Sequence, residues 1–414
     1  MGSPGYYSRV ISFVTTRVAQ ATIALAGAYL LAAPAAYGAA PGRVVVPPVF
    51  PLALVQQVTL PSMPLGAPAV GAGLAVVALA EGDVVAFDLA TGTETWRAQL
   101  EATHRAVVAG DAVYVVTADT TECLALADGA VRWRTPRAHA ATTAPFVTDQ
   151  SVIIATAEPG VTALVRATGT VSWTRVLSHP ITQPFVGATG RVFGISARPE
   201  VTALDAATGA VLWSLAFNAT LSGLAESANR VYVGSDDNFF YALNAASGRI
   251  DWKWRTGADV VGAAALDDAH VYFVSLDNLL RALDRRSGGQ RWKRALPTRS
   301  VAGPLLVDGV LLVVGYSPEL RGHLPATGAP VGRYGTDGEI AFQPTLASGA
   351  WPGADRLVVV TLDRVLAVLR RRFDTPVAPL DALPGAVVTV SDPPAPPLPT
   401  PPAQVQVAQK VPAK

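Results

Sequence analysis

One string recurs along this chain. AFDLATGTETW at 86–96 returns as ALVRATGTVSW at 163–173, ALDAATGAVLW at 203–213, ALNAASGRIDW at 242–252 and ALDRRSGGQRW at 282–292. A shortened copy, ALADGAVRW, spans 125–133, and a decayed one, GHLPATGAPVG, spans 322–332. The turn glycines of the copies are Gly92, Gly129, Gly169, Gly209, Gly248, Gly288 and Gly328, at successive spacings of 37, 40, 40, 39, 40 and 40 residues. A period this regular describes an array of one supersecondary unit, each copy burying its face on the next.

The segments before each copy show what the unit is. VYVV (113–116), VFGI (192–195), VYVG (231–234) and VYFV (271–274) are β-branched and aromatic runs that favour strands. A shorter apolar run precedes them, often opened by proline, as in APAV (67–70), APFV (144–147), QPFV (183–186), GPLL (303–306) and QPTL (343–346). Proline suits the first residue of a strand, where its missing N–H costs least. Turn residues such as Asp267 and Asp268, or Asp308 and Gly309, separate the two runs. Each unit reads as strands A, B and C, a Thr-Gly or Ser-Gly turn, and strand D with its Trp. Four short strands per 40 or so residues is the arithmetic of a propeller blade. The three-and-four apolar spacing of an amphipathic helix is absent.

The A strands begin near Ala67, Arg105, Ala144, Gln183, Ser222, Gly262, Gly303 and Gln343, which makes eight blades. The eighth has strands B and C in RLVVVTLDRVLAVL (356–369) but no following strand with a Trp. A lone strand-like run, LALVQQVTL (52–60), stands ahead of the first unit. The expectation is an all-β fold: a single eight-bladed β-propeller of four-stranded blades over 49–373. Its ring is closed by the N-terminal strand, which covers edges that would otherwise stay open.

Within the motif, glycine supplies a backbone position that a Cβ would crowd. The Trp ring offers a large flat area to lay on the adjacent blade. Trp96, Trp133, Trp173, Trp213, Trp252 and Trp292, with Gly92, Gly129, Gly169, Gly209, Gly248 and Gly288, therefore read as blade-docking residues rather than a ligand cage.

Ala86-x-Asp88 through Thr91-Gly92 to Trp96, and Ala203-x-Asp205 through Thr208-Gly209 to Trp213, resemble the tryptophan-docking repeat of the PQQ-like, quinoprotein-type propellers. The resemblance covers about 65–373 and implies the fold rather than an activity. That superfamily contains quinone-dependent dehydrogenases, whose alcohol-oxidising members carry paired cysteines beside the cofactor. It also contains noncatalytic scaffolds of outer-membrane β-barrel assembly, to which this chain is similar in blade number and size. The resemblance to the scaffolds implies no enzyme activity and no cofactor. The alternative is a quinone-binding, dehydrogenase-like protein or a sensor of a small ligand or polysaccharide.

Composition narrows these choices. The only cysteine is Cys123, so the paired cysteines of the alcohol enzymes are missing, and so is any multi-cysteine metal site. No cysteine is available near the N-terminus for a lipid anchor. The formal charge of +1, with only 15% charged residues, argues against nucleic acid as a partner. Residues 1–40 carry Arg9 and Arg17 ahead of the uncharged stretch ATIALAGAYLLAAPAAYGAA, the layout of a signal peptide or, uncleaved, of a membrane anchor. Export to the periplasm or an equivalent space follows, with a protein partner in the cell envelope. Residues 374–414 contain PPAPPLPTPP and read as a Pro-rich disordered tail.

Ligands of propellers gather at the mouth of the central channel, on the face shared by the D-to-A and B-to-C loops. The residues ahead of the A strands there include Met63, His104, His139, His179, Asn218, Asp259, Arg299 and Glu339. His139, His179, Asn218, Asp259, Arg299 and Glu339 are the channel-mouth candidates. His104, His139 and His179 sit on consecutive blades, but their loops differ in register and no metal is assigned to them. Carboxylates recur in the B-to-C turns, among them Asp83, Glu122, Glu158, Asp236, Asp237, Asp277 and Glu319, as expected of exposed hairpin turns. Blade six is basic, with Arg281, Arg285, Arg286, Arg291, Lys293, Arg294 and Arg299, a face open to a partner or to anionic lipid. No G-x-S-x-G, H-E-x-x-H or phosphate-binding G-x-x-x-x-G-K string appears, and no catalytic residue is assigned.

Overall fold

In a computed structural model of the chain, residues 50–371 are described, apart from 159, 189, 228 and 349–354. The N-terminal signal or anchor segment and the Pro-rich tail lie outside the described residues. Thirty-two strands form eight four-stranded antiparallel sheets, and no helix occurs among the described residues. The blades span 69–99, 107–136, 146–176, 186–216, 221–255, 260–295 and 305–335, and blade 8 combines 345–371 with the N-terminal strand Leu52–Thr59. In that last sheet Leu52–Thr59 lies antiparallel to Val365–Arg371, with Leu52 opposite Arg371 and Thr59 opposite Val365. The eight-bladed ring and its closure by the run at 52–60 are therefore as the sequence implied. In blades 5 and 6 strand A is longer than anticipated, Leu221–Ser227 and Val260–Leu266, and each contains a register shift.

Strands B and C alternate between the two faces of a sheet, and both faces are covered by neighbouring blades. Their central residues are accordingly mostly apolar, and Val113, Val115, Ile153, Val231 and Val359 are fully buried. The core is divided into eight apolar clusters, one at each seam between adjacent blades. Stability in such a ring is a sum over seams, so what matters is how each seam is fastened.

Six seams share one fastening. One residue before each Trp the register between strands C and D shifts, a bulge that bends strand D. The Trp ring then lies on the turn glycine of the following blade. A Cβ on Gly129, Gly169, Gly248, Gly288 or Gly328 would come within 2.5–2.7 Å of the rings of Trp96, Trp133, Trp213, Trp252 and Trp292, and Gly209 meets Trp173 in the same way. These glycines hold φ between 68° and 72°, where a side chain is strained in any case. Each indole N–H also donates to a carbonyl of that turn, from Trp96 to Leu126 at 2.8 Å through to Trp292 to Pro325 at 2.8 Å.

The turn itself is fixed by the Asp or Asn that opens it. Asp88 Oδ1 accepts from the N–H groups of Ala90 and Thr91 and from the Thr91 hydroxyl, and Asp205, Asn244 and Asp284 repeat the arrangement. Backbone donors hold the Asp88 carboxyl below the usual aspartate range, as the Ser287 N–H and then Arg291 do for Asp284.

Candidate functional site

The D-to-A and B-to-C loops share one face, and backbone bonds stitch them together. The N–H of the first or second residue beyond strand B donates to a carbonyl of the preceding D-to-A loop. Leu276 donates to Asp259 at 2.9 Å, Tyr316 to Arg299 at 3.0 Å and Leu362 to Glu339 at 2.8 Å. Three of the channel-mouth candidates thus serve first through their carbonyls, fixing the loops, while the Arg299 and Glu339 side chains are exposed. His139 lies 3.5 Å from Glu158 across the same pair of loops, and Arg137 donates to the His139 carbonyl. His179 and Asp259 are half-buried and Asn218 is exposed. Among the described residues no group of three His, Cys, Asp or Glu side chains converges as metal ligands, so His104, His139 and His179 are not brought together.

The position beyond strand B divides this face into two sectors. Blades 1 to 4 place Ala80, Ala118, Ala157 and Ala197 there, and blade 5 places Asp236. Blades 6 to 8 place Leu276, Tyr316 and Leu362 there. Tyr316 is 64% exposed and Leu362 is 53% exposed. Sequence reading fixed on the polar loop residues and passed over this apolar arc. Its signal was the change from Ala to large apolar residues at one repeat position, visible only once the copies are aligned on strand B.

The charged features are more internal than alternation implied. Arg281 is 6% exposed and pairs with Asp277 at 2.5 Å. Arg285 crosses the seam to blade 5, donating to the Tyr232 hydroxyl at 3.2 Å and to Ser227 Oγ at 2.5 Å. Arg291 pairs with Asp284. The basic face of blade 6 therefore shrinks to Arg286, Lys293, Arg294 and Arg299. Most acidic turns are likewise paired within their own blade: Asp83 with Arg97, Glu122 with Arg134, Glu319 with Arg321 and Arg333. Tyr241 donates to Asp237 at 2.5 Å, and burial and that carboxylate push its phenol well above the usual range. These carboxylates brace the loops rather than forming an open acidic rim.

On the opposite face a cleft of about 560 Å³ opens at the seam of blades 3 and 4, between the turn at Thr148, Asp149 and Gln150 and the side chain of Arg191. It is shallow, open to solvent and holds no paired acid and base.

A closed ring of eight four-stranded blades, fastened by Trp on turn glycine, is a PQQ-like repeat propeller. Residues 80–194 and 197–340 match the family described as outer membrane protein assembly factor BamB; this is more than half of the chain, and the chain belongs to that family. The curated outer membrane protein assembly factor BamB of Yersinia pestis is 30% identical over 104 residues, which is 24% of this chain and 26% of that protein. The match spans about a quarter of the relative's length. Among solved structures, BamB from Moraxella catarrhalis is similar with a TM-score of 0.64 at 18% identity, over 78% of this chain and 99% of that one. Quinohemoprotein alcohol dehydrogenase from Comamonas testosteroni is similar with a TM-score of 0.63 at 14% identity, over 78% of this chain and 77% of that one. At such identities the likeness to both is one of fold alone.

Proposed function

We propose that this protein is a noncatalytic scaffold of outer-membrane protein assembly, exported to the periplasm or an equivalent space, that docks a protein partner of the cell envelope. Family membership supports the setting. The observation that carries the docking surface is the pair Tyr316 and Leu362, exposed at equivalent positions of adjacent blades. Their backbones are tied to the Arg299 and Glu339 loops, so the face is rigid and little order is lost on binding. Tyrosine beside an aliphatic residue, rimmed by one cation and one anion, has the make-up of an interface centre with a polar edge.

Affinity capture from envelopes tests this, using the wild type and a Tyr316→Glu/Leu362→Glu double variant. The wild type should recover subunits of the outer-membrane β-barrel assembly machinery, and the variant should recover far less while melting at the same temperature. Equal recovery by both would remove the docking face. Failure of the wild type to recover any such subunit would remove the assembly role.

A further inference from the structure

Strand C offers one position that can be compared across seven blades. Five residues before the turn glycine, blades 1 to 6 place Phe87, Leu124, Leu164, Leu204, Leu243 and Leu283. All six are buried, each in the apolar cluster shared with the preceding blade. Blade 7 places His323 there, and it is 6% exposed. The register is unchanged: Leu283 lies opposite Gln290 and His323 opposite Pro330, each just past the bulge. An imidazole therefore fills a place in the core that the other six copies give to hydrocarbon.

The ring has one partner. Its Nδ1 lies 3.1 Å from the Gly328 carbonyl, which can only accept, so Nδ1 donates and Nε2 is left as a lone pair. Nε2 is buried and has no hydrogen-bond partner among the described residues. Gly328 is the turn glycine under the Trp292 ring, and the Trp292 indole donates to Pro325 of the same turn. Leu324 stands where blades 1, 4, 5 and 6 carry the Asp or Asn that braces this turn, and the imidazole ties the turn instead. A proton on Nε2 puts a charge into an apolar seam with no acceptor for it. The charged groups that act on the ring are Arg321 of its own strand and Arg294 of blade 6, both cations. Strand B sets Leu311 opposite His323, and Tyr272, in the cluster of the same seam, donates to Asp267. Burial first, and then the two arginines, hold the His323 pKa below the ordinary histidine value, although the Gly328 carbonyl favours the charged form.

The sign of the effect follows. Above about pH 6.5 the ring is neutral whether the seam is closed or open, and pH has no hold on it. Below that value an opened chain binds the proton and the closed seam does not, so the closed state loses stability as pH falls. We propose that the seam of blades 6 and 7 is an acid-sensitive joint, in which His323 takes up a proton by leaving the seam, drops the Gly328 carbonyl and frees the turn from Trp292. The carboxylates that brace the other turns respond elsewhere: Asp88 and Asp284 lie below the usual aspartate range and lose their hold only in far stronger acid. Blade 7 also presents Tyr316, so opening the joint would disorder one side of the docking face. That consequence rests on the docking role, whereas the joint itself does not.

Hydrogen exchange of the full chain, compared on either side of about pH 6.5 and corrected for its intrinsic pH dependence, tests this without any partner. Burial also holds His104 below its ordinary value, so a whole-molecule melt mixes two sources, and exchange read blade by blade separates them. The open population of Glu319–His323 and Pro330–Gly335 should rise about tenfold for each unit that pH falls below about 6.5, one proton being linked to opening. Blades 3 and 4 should show no such rise. His323→Leu installs the residue of five other copies and should abolish the excess. His323→Gln keeps an amide donor for the Gly328 carbonyl, does not titrate and should abolish it too, so either variant decides if the other fails to fold. In the folded wild type the His323 ring should titrate below about 6.5 by nuclear magnetic resonance. Titration at or above that value, no excess opening of blade 7 over blades 3 and 4, or an excess that survives in a folded variant would each overturn the proposal.

Discussion

Six seams of this ring are fastened alike, and the two that flank blade 8 are not. At the six, a bulged strand D presents Trp, the next blade presents a turn glycine, and the indole N–H finds a carbonyl of that turn. Blade 8 draws strands C and D from opposite ends of the chain, so no C-to-D turn exists there. A Trp on blade 7 would have no turn to dock on. At that place, after the same bulge, stands Gly332, and the Phe50 ring covers it together with Gly322. At the seam of blades 8 and 1 the turn glycine is present, as Gly92, but strand D offers Gln56. The bulge before Gln56 puts it at the Trp position, and its amide donates to the Asp88 carbonyl at 3.0 Å. The hydrogen bond of the motif is kept there and the aromatic area is lost. The comparison teaches that the bulge, found in all eight blades, is the invariant part, and the side chain placed after it is adapted to what the next blade supplies.

The sharpest break in this comparison is removal of the closing strand. Deleting 49–62 takes away Phe50, Leu52 and Leu60, all buried, and leaves Val365–Arg371 as an open edge. At about 1.5–3 kcal/mol for each large apolar side chain, on the order of 5 kcal/mol is lost, and the melting temperature should fall by roughly 10 °C or more. An unchanged melt would mean that the ring does not depend on this closure. Next in size is truncation of one fastener from each class. Trp213→Ala and Phe50→Ala should each cost about 3–5 kcal/mol in chemical denaturation. Trp213→Ala should be the larger, because the Ala245 carbonyl loses its donor as well. If Phe50→Ala proves nearly neutral, Phe50 is filler at Gly332 and the seam of blades 7 and 8 rests on strand pairing alone.

How much of this the sequence disclosed follows from what repeats. Blade number, strand order and the closing strand were legible because each rests on a period of about 40 residues and on which period lacked its fourth strand. Phe50 and Gln56 were not, since neither resembles Trp. Their roles are defined by register, which only the pairing of Leu52–Thr59 with Val365–Arg371 establishes. Arg285 read as part of a surface patch because alternation predicts which face of a strand a side chain takes, not whether it then spans a seam. Arg299 and Glu339 stood out as charged loop residues, whereas their carbonyls hold the loops and the apolar arc sits beside them.

The smallest expected effect asks whether the divergent seam can be made to match the others. Gln56 Oε1 is buried without a hydrogen-bond partner, and a Cβ on Gly92 would meet it at 2.6 Å, within the range that separates the Trp rings from their glycines elsewhere. The positions therefore superimpose in kind, and Gly92 keeps the positive φ of the other turns, 76°. Gln56→Trp should lay an indole on Gly92, retain an N–H donor for the turn and remove the orphaned oxygen. Val58 also touches Gly92 and must yield space, which offsets part of the gain. The net should be a stabilisation of about 1 kcal/mol, or roughly 1–2 °C in Tm for a fold of this size. A destabilised variant would show that the last seam is shaped around the smaller side chain, and that ring closure, unlike the six repeated joints, tolerates no aromatic wedge at the Trp position.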